Sequence, residues 1–271
     1  MQKLSSPVRL SLAEVTKSYG RGTESKTVLD RITLDVRTGE LVCVVGPSGA
    51  GKTTLLRCLT GLMPPTSGTV ALDGAPLTGT SDRISIVFQE YSRSLFPWLT
   101  IEKNVSLPLR ARGVAKARTR PLVAETLKSV GLHGVGGLHP WQLSGGMQQR
   151  VAIARALVTE PEVLVMDEPF ASIDAQTRMD LEDLTLRIQR ERNVSVILVT
   201  HDIDEAVYLA DRVVVLSKNP ATVQATLNVP LGVDRDQIHT RQDQRFVDIR
   251  TNILELIRET QLRDQAEKSN A

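Results

Sequence analysis

Three short stretches of this chain carry residue types and spacings that do chemistry on phosphate. The first, Gly46-Pro-Ser-Gly-Ala-Gly-Lys-Thr53, is a full match to G-x-x-x-x-G-K-[ST]. The apolar run Leu41–Val45 precedes it and helix-forming residues follow. The glycines let the backbone curl so that successive N–H groups point inward and cradle an anion. A helix opening near Lys52 adds partial positive charge. Lys52 is expected to reach the β- and γ-phosphates of a nucleotide, and the Thr53 hydroxyl to ligate Mg²⁺. The second stretch, Val163-Leu-Val-Met-Asp-Glu168, is an apolar strand ending in two carboxylates. Asp167 fits an Mg²⁺-organising role through water, and Glu168 a general base that polarises an attacking water. Gln89 follows the expected strand Ile84–Phe88, and its amide can bond both a metal-bound water and the attacking water. His201 follows the strand Val194–Val199 and is expected to sense a γ-phosphate by donating a hydrogen bond. On residue type alone, Gln89 and His201 are equally polar strand terminators.

The third stretch is Leu143-Ser-Gly-Gly-Met-Gln-Gln-Arg150. Ser144 is a helix N-cap, and Gly145 and Gly146 leave the first-turn N–H groups uncovered. A bare helix N-terminus binds anions. Gly46–Thr53 already supplies one phosphate cradle, so this second site points to the γ-phosphate held by another copy of the chain.

Holding these residues in place takes β/α alternation. Val8, Leu10, Leu12 and Val15 alternate with polar residues, as do Ile32, Leu34 and Val36, the pattern of half-buried strands. Leu41–Val45 is apolar throughout, as in a strand buried on both faces. Lys52–Leu62 has helical composition, and Thr69–Leu72 and Ile84–Phe88 read as strands. After Gln89 the chain is punctuated by Pro97, Pro108 and Pro121. Val123, Leu127 and Val130 give one helical face within Lys116–Leu132, and Leu143–Val158 reads as a second long helix. Residues 89–158 are therefore expected to form a helical insert. Alternation resumes with strand Val163–Met166, helix Gln176–Arg190, strand Val194–Val199, helix Asp204–Ala210 and strand Val213–Leu216. Strands separated by helices imply a parallel sheet with helices on its faces. Beyond Pro220 the chain is polar until Phe246, Ile249, Ile253 and Ile257 mark an amphipathic helix, docked on the body or on a partner.

The composition narrows the function classes. Over 271 residues, 33 Lys and Arg stand against 31 Asp and Glu, so no basic excess supports nucleic-acid binding. Two Trp, three Tyr and four Phe are too few for a base-stacking platform. No apolar run approaches the ~20 residues that span a bilayer, and Met1–Leu10 has no signal-peptide core. Cys43 and Cys58 sit in apolar segments without CxxC spacing, as small buried hydrophobes of a reducing cytosol. The basic run Arg110, Arg112, Lys116, Arg118, Arg120 is a solvated surface or an anionic-lipid contact.

Taken together, the Gly46–Thr53 loop, Gln89, Leu143–Arg150, the Asp167-Glu168 pair, Ser172-Ile-Asp174 and His201 resemble, in residues and order, the ATP-binding subunits of ABC transporters. The resemblance covers roughly residues 8–217. It implies an α/β fold: a P-loop NTPase (RecA-like) core with a mostly parallel sheet, an N-terminal antiparallel β subdomain and an inserted α-helical subdomain. The ATPase domain would span 1–217, with core 1–88 and 159–217 and insert 89–158, followed by an extension 218–271. ATP binding would fall to Tyr19, stacked on adenine, and to Gly46, Pro47, Ser48, Gly49, Ala50, Gly51, Lys52, Thr53 and Thr54. Ser144, Gly145, Gly146 and Asp174 would serve the nucleotide of the other copy in a head-to-tail homodimer. Glu168, Gln89 and His201 would carry hydrolysis, with Mg²⁺ held by Thr53, Gln89 and Asp167. The implied partners are separate transmembrane permease subunits and, indirectly, a solute-binding protein, with no nucleic acid. The implied location is peripheral, on the cytoplasmic face of the inner membrane.

In the family, the segment 89–100 receives the pore's coupling helix; by themselves Leu95, Phe96, Trp98 and Leu99 fit an interface or a core equally. Phe96-Pro-Trp-Leu-Thr100, Glu168-Pro-Phe170 and Arg245–Arg250 look like the branch importing nitrate, sulfonates, taurine and related compounds. The rival within the family is a soluble ABC ATPase acting on nucleic acid or ribosomes. Such proteins usually carry coiled-coil insertions, zinc modules or paired cassettes, none of which is visible here. A P-loop kinase is the rival outside it, and Leu143–Arg150 argues against that.

Overall fold

The computed structural model describes residues 6–20, 25–90, 94–171, 173–218 and 220–269, with side chains to 262. Ser172 and the Tyr91–Arg93 part of the segment 89–100 lie outside the described residues, as do Met1–Ser5 and residues 21–24 of the Tyr19–Lys26 loop. The chain opens with β1 (Val8–Tyr19), β2 (Lys26–Arg37), β3 (Leu41–Val45), α1 (Lys52–Leu59), β4 (Ser67–Leu72), β5 (Ala75–Pro76) and β6 (Ile84–Val87). Then come α2 (Ile101–Ala111), α3 (Lys116–Ser129), a 3-10 turn at Pro140–Gln142, α4 (Gly145–Leu157), β7 (Val163–Asp167) and α5 (Ala175–Arg192). The chain closes with β8 (Ser195–Val199), α6 (Ile203–Leu209), β9 (Arg212–Leu216), β10 (Val223–Asn228), α7 (His239–Gln242) and α8 (Gln244–Ser269). The fold is α/β, and it divides into two compact units, 1–81 with 195–271, and 82–194.

In the first unit, β2, β1, β4 and β5 form an antiparallel sheet in that order. The alternation read in the sequence is the burial pattern: Leu10, Leu12, Val15, Ile32, Leu34 and Val36 are buried. A second sheet centres on β3, paired in parallel with both β8 and β9. All five residues of β3 are buried, which is why its sequence is apolar without alternation. β10 adds an antiparallel strand to β9. It falls where the sequence reads as polar, because its residues are only half-buried. Helix α8 lies against α6, β9 and β10, with Phe246 and Ile253 buried. Cys43 and Cys58 are both buried and neither forms a disulfide, and burial pushes the Cys58 thiol up, away from reactivity.

The second unit pairs β6 with β7 in parallel and packs α2, α3 and α4 together. Pro108 and Pro121 do not end helices; they lie inside α2 and α3. In α2, Ile101, Val105 and Leu109 form one buried stripe. Burying three such side chains gains about 1.5–3 kcal/mol each, which outweighs the roughly 3 kcal/mol cost of an internal proline.

Candidate functional site

The Gly46–Thr53 loop joins the buried end of β3 to α1. Gly49 and Gly51 take φ of 77° and 75°, the left-handed region that favours glycine. At Gly51 a Cβ would also meet Val28 Cγ1 at 2.9 Å, and at Gly46 one would meet the Leu216 carbonyl at 3.0 Å. At Gly51 packing thus adds to the conformational restriction, and at Gly46 packing alone opposes a side chain. Pro47 and Ala50 are buried, Ser48 and Gly49 exposed. Lys52 is buried and curls over the loop, donating from Nζ to the carbonyls of Gly46 at 2.8 Å and Pro47 at 3.2 Å. Thr53, in the first turn of α1, is exposed.

Two elements flank the loop within the same unit. Val199 pairs with Val44, and Thr200 N donates to the Val44 carbonyl at 3.2 Å. That register brings exposed His201 to the end of β3 where the loop begins. On the other side β9 runs parallel to β3, and Lys218, just beyond it, lies over the loop. Its Cε and Nζ stand 3.5 and 3.7 Å from where a Cβ on Gly49 would be. No spacing in the sequence signals Lys218; the parallel β3–β9 register brings it there. Tyr19 is part-exposed at the end of β1. Its hydroxyl lies 3.3 Å from Thr54 Oγ1 and donates to Met63 Sδ at 3.2 Å, while Lys17 Nζ sits 5.7 Å from the ring centre.

In the second unit β7 ends in buried Asp167, and the next residue, Glu168, has φ of 43°. A glutamate in the left-handed region is strained, and such strain concentrates at functional sites. Gln89 Nε2 donates to Glu168 Oε2 at 3.2 Å. The structure thus brings together two residues that sequence spacing leaves far apart.

The Leu143–Arg150 stretch opens α4 as its residue types dictate. Ser144 is the N-cap and its hydroxyl accepts from Met147 N at 3.3 Å. Gly145 is exposed, whereas Gly146 is buried, and a Cβ there would collide with Thr177 Cγ2. Thr177 belongs to the first turn of α5, whose N-cap is Asp174. Asp174 Oδ1 accepts from Thr177 N at 3.0 Å, and this bonding holds its carboxyl below the usual value.

The ABC transporter family model matches residues 29–171, more than half of the chain. This chain belongs to the ABC transporter family. An aliphatic sulfonates import ATP-binding protein from Burkholderia cenocepacia is 47% identical over 85% of this chain and 82% of its own length. A nitrate import ATP-binding protein from Synechocystis is 41% identical over 84% of this chain and 85% of its own. Among solved structures, a dimeric ATP-binding cassette in a post-hydrolysis state, bound to ADP and Pi, is 34% identical. It aligns with a TM-score of 0.71 over 81% of this chain and 98% of its own.

No helix among the described residues of this ABC protein is long and apolar enough to cross a membrane. Its cluster at 95–99 divides in two. Leu95 is buried, while Phe96 and Trp98 are exposed, Trp98 by 70%, with ring centres 5.2 Å apart. Asn104, wholly buried, holds the turn: it accepts from Phe96 N at 2.8 Å and donates to the Phe96 and Leu99 carbonyls. Asn104 carries no motif, and only the structure reveals its role.

Proposed function

We propose that this ABC protein is the ATP-hydrolysing subunit of an importer, and that two copies close head to tail on two ATP molecules to drive uptake through separate membrane subunits. The observation that carries the import reading is the pair of relatives above, both named as import ATP-binding proteins and both aligned over more than four-fifths of this chain. Nitrate and sulfonates are small oxyanions, and a solute of that class, delivered by a solute-binding protein, is the cargo we assign. The subunit sits peripherally on the cytoplasmic face of the membrane.

The chemistry follows from the local geometry. Tyr19 offers its ring to adenine, and the loop from Gly46 to Thr54 offers backbone N–H groups to the phosphates. To reach them, Lys52 exchanges the Gly46 and Pro47 carbonyls for phosphate oxygens. The exchange is favourable because charge-assisted bonds are stronger than bonds to neutral carbonyls. Ser144, Gly145 and Gly146 of each copy serve the other copy's γ-phosphate, and Asp174 belongs to the segment crossing the interface. Glu168 takes the proton of the water that attacks the γ-phosphorus, and ADP leaves. Gln89 aims the Glu168 carboxylate through its amide bond. His201 donates a hydrogen bond to the γ-phosphate. The hard oxygen donors Thr53 and Asp167, with the Gln89 amide oxygen, suit Mg²⁺. When bound, Mg²⁺ neutralises charge on the β- and γ-phosphate oxygens.

The test is purification of tagged Glu168→Gln from its own host in mild detergent with ATP, followed by mass spectrometry of what accompanies it. A polytopic membrane subunit together with a solute-binding protein that takes nitrate or an alkanesulfonate is the expected result. Recovery of nucleic acid or ribosomal proteins without a membrane subunit overturns the import reading.

A further inference from the structure

Between α2 and α3 lies a pocket of about 760 Å³, open to solvent on one side and edged by exposed side chains. Its walls carry four cations, Lys103, Arg110, Lys116 and Arg120, and a single carboxylate, Glu102. All belong to the second unit, and none belongs to the nucleotide chemistry above.

The local sequence builds this arrangement. Gly113 takes φ of 70°; its N–H returns to the Arg110 carbonyl and that of Val114 to the Leu109 carbonyl, which stops α2 and turns the chain. Extended Ala115 then starts α3. Ala115 has no side-chain oxygen to cap the helix, and the first turn of α3 holds no acid. The positive pole of a 14-residue helix is thus left unscreened at the cavity. The hydroxyls of Ser106 and Thr119 on the wall donate to the carbonyls of Lys103 and Ala115, so the donors left for a ligand are the four cations, the Thr100 hydroxyl and the uncapped N–H groups that open α3.

Among the described residues none of these four cations has a hydrogen-bond or ion-pair partner. Arg112, in the same basic run but outside the cavity, is tied down: it donates to the Asp82 and Thr159 carbonyls and pairs with the Asp82 carboxylate at 3.7 Å. Unpaired like charges around a shared void repel one another, and an anion placed among them converts that repulsion into attraction. Two guanidinium forks suit the paired oxygens of a phosphate, and two ammonium groups add point charges. A phosphate alone does not span the pocket, which leaves room beside it for an organic body.

We propose that this cavity binds a phosphate-bearing anion with an organic body. The same chemistry is offered by an anionic phospholipid headgroup and by a free phosphorylated solute.

The test compares the full chain with Lys103→Ala/Arg120→Ala, both saturated with ADP so that the Gly46–Thr53 loop is filled. One arm measures flotation with phosphatidylcholine vesicles, with and without phosphatidylglycerol. The other titrates glycerol 3-phosphate by calorimetry. ATPase activity of the double variant, expected unchanged, reports that it folds. The expected result is binding about tenfold weaker in the double variant in at least one arm, weakening further with salt. A difference with phosphatidylglycerol vesicles alone assigns a headgroup; a difference with glycerol 3-phosphate alone assigns a soluble ligand. Equal behaviour of the two proteins in both arms overturns the proposal. So does loss of a membrane subunit from the purified complex with neither arm changed, which would give the cavity to an acidic protein segment.

Discussion

Gly146, in the first turn of α4, and Thr177, in the first turn of α5, pack so closely that no side chain fits between them. This contact binds the start of the Ser144 helix to the helix that Asp174 caps. Gly146→Ala sets two effects against each other. Alanine favours a helix over glycine by about 1 kcal/mol. Forcing a methyl group into a packed contact costs about 1–3 kcal/mol. The expected net result is a lower melting temperature and weaker ATP-dependent dimerisation. Thr177→Ser removes the opposing Cγ2 and keeps the hydroxyl, so adding it to Gly146→Ala should restore much of both. If the double variant melts no higher than Gly146→Ala, the contact is not the cause.

The Gln89–Glu168 bond makes a graded prediction for hydrolysis. Glu168→Gln removes the base and should lower kcat by about 10²–10⁴ while ATP still binds. Gln89→Ala leaves the base but frees its carboxylate and removes one Mg²⁺ donor, so kcat should fall less than in Glu168→Gln while KM for ATP rises modestly. Steady-state kinetics on the two variants measures this directly, and a larger kcat loss at Gln89 than at Glu168 would reverse their assigned roles.

Tyr19 separates ring from hydroxyl. The hydroxyl is engaged with Thr54 and Met63, not with the region over the loop. Tyr19→Phe should therefore leave ATP affinity near wild type, whereas Tyr19→Ala should weaken it about three- to tenfold through lost stacking. Fluorescent-nucleotide titration distinguishes the two, and equal losses would mean the hydroxyl carries the effect.

How legible these features are in the sequence depends on range. β3, β7 and β8 stand out because each is buried on both faces, which leaves an unbroken apolar run. The Gly46–Thr53 and Leu143–Arg150 stretches are legible because each motif is contiguous and its caps act over one turn. β10 is hidden because it pairs along β9 with half-buried residues, so its composition is that of a loop. Helix α2 is masked by Pro108, whose local penalty the buried Ile101–Val105–Leu109 stripe overcomes. Lys218 beside Gly49 and Gln89 bonded to Glu168 depend on strand register, which the sequence does not display.

Glu40 and Arg212 supply a prediction about stability alone. Glu40 is 2% exposed; it accepts from Arg37 N at 2.8 Å and from Arg212 Nε at 2.8 Å. Arg212 keeps 18% of its side chain exposed and a second bond to the Asp35 carbonyl, so removing Glu40 costs about 1–3 kcal/mol, from the charged hydrogen bonds lost. Glu40→Leu should therefore melt well below wild type, and Glu40→Leu/Arg212→Met should recover most of the loss. Denaturant unfolding checks both, and additive losses in the double variant would show that the pair is not coupled.

Asp174 makes the fold sensitive to acid at one helix end. Bonding to Thr177, chiefly to its backbone N–H, holds the carboxyl below its ordinary value of 3.8. A depressed carboxylate stabilises the folded chain above its unfolded value and loses that contribution as pH falls through the folded one. Asp174→Asn keeps a good capping side chain but cannot titrate, and it loses the charge that favours a helix N-terminus. The wild type should thus melt above Asp174→Asn at neutral pH. The gap should stay constant down to about pH 5 and close below the ordinary carboxylate range. Every other carboxylate is common to both proteins and drops out of the difference. Melting curves from pH 7 to 3 read the gap directly, and one that widened on acidification would show that the cap does not act through its charge.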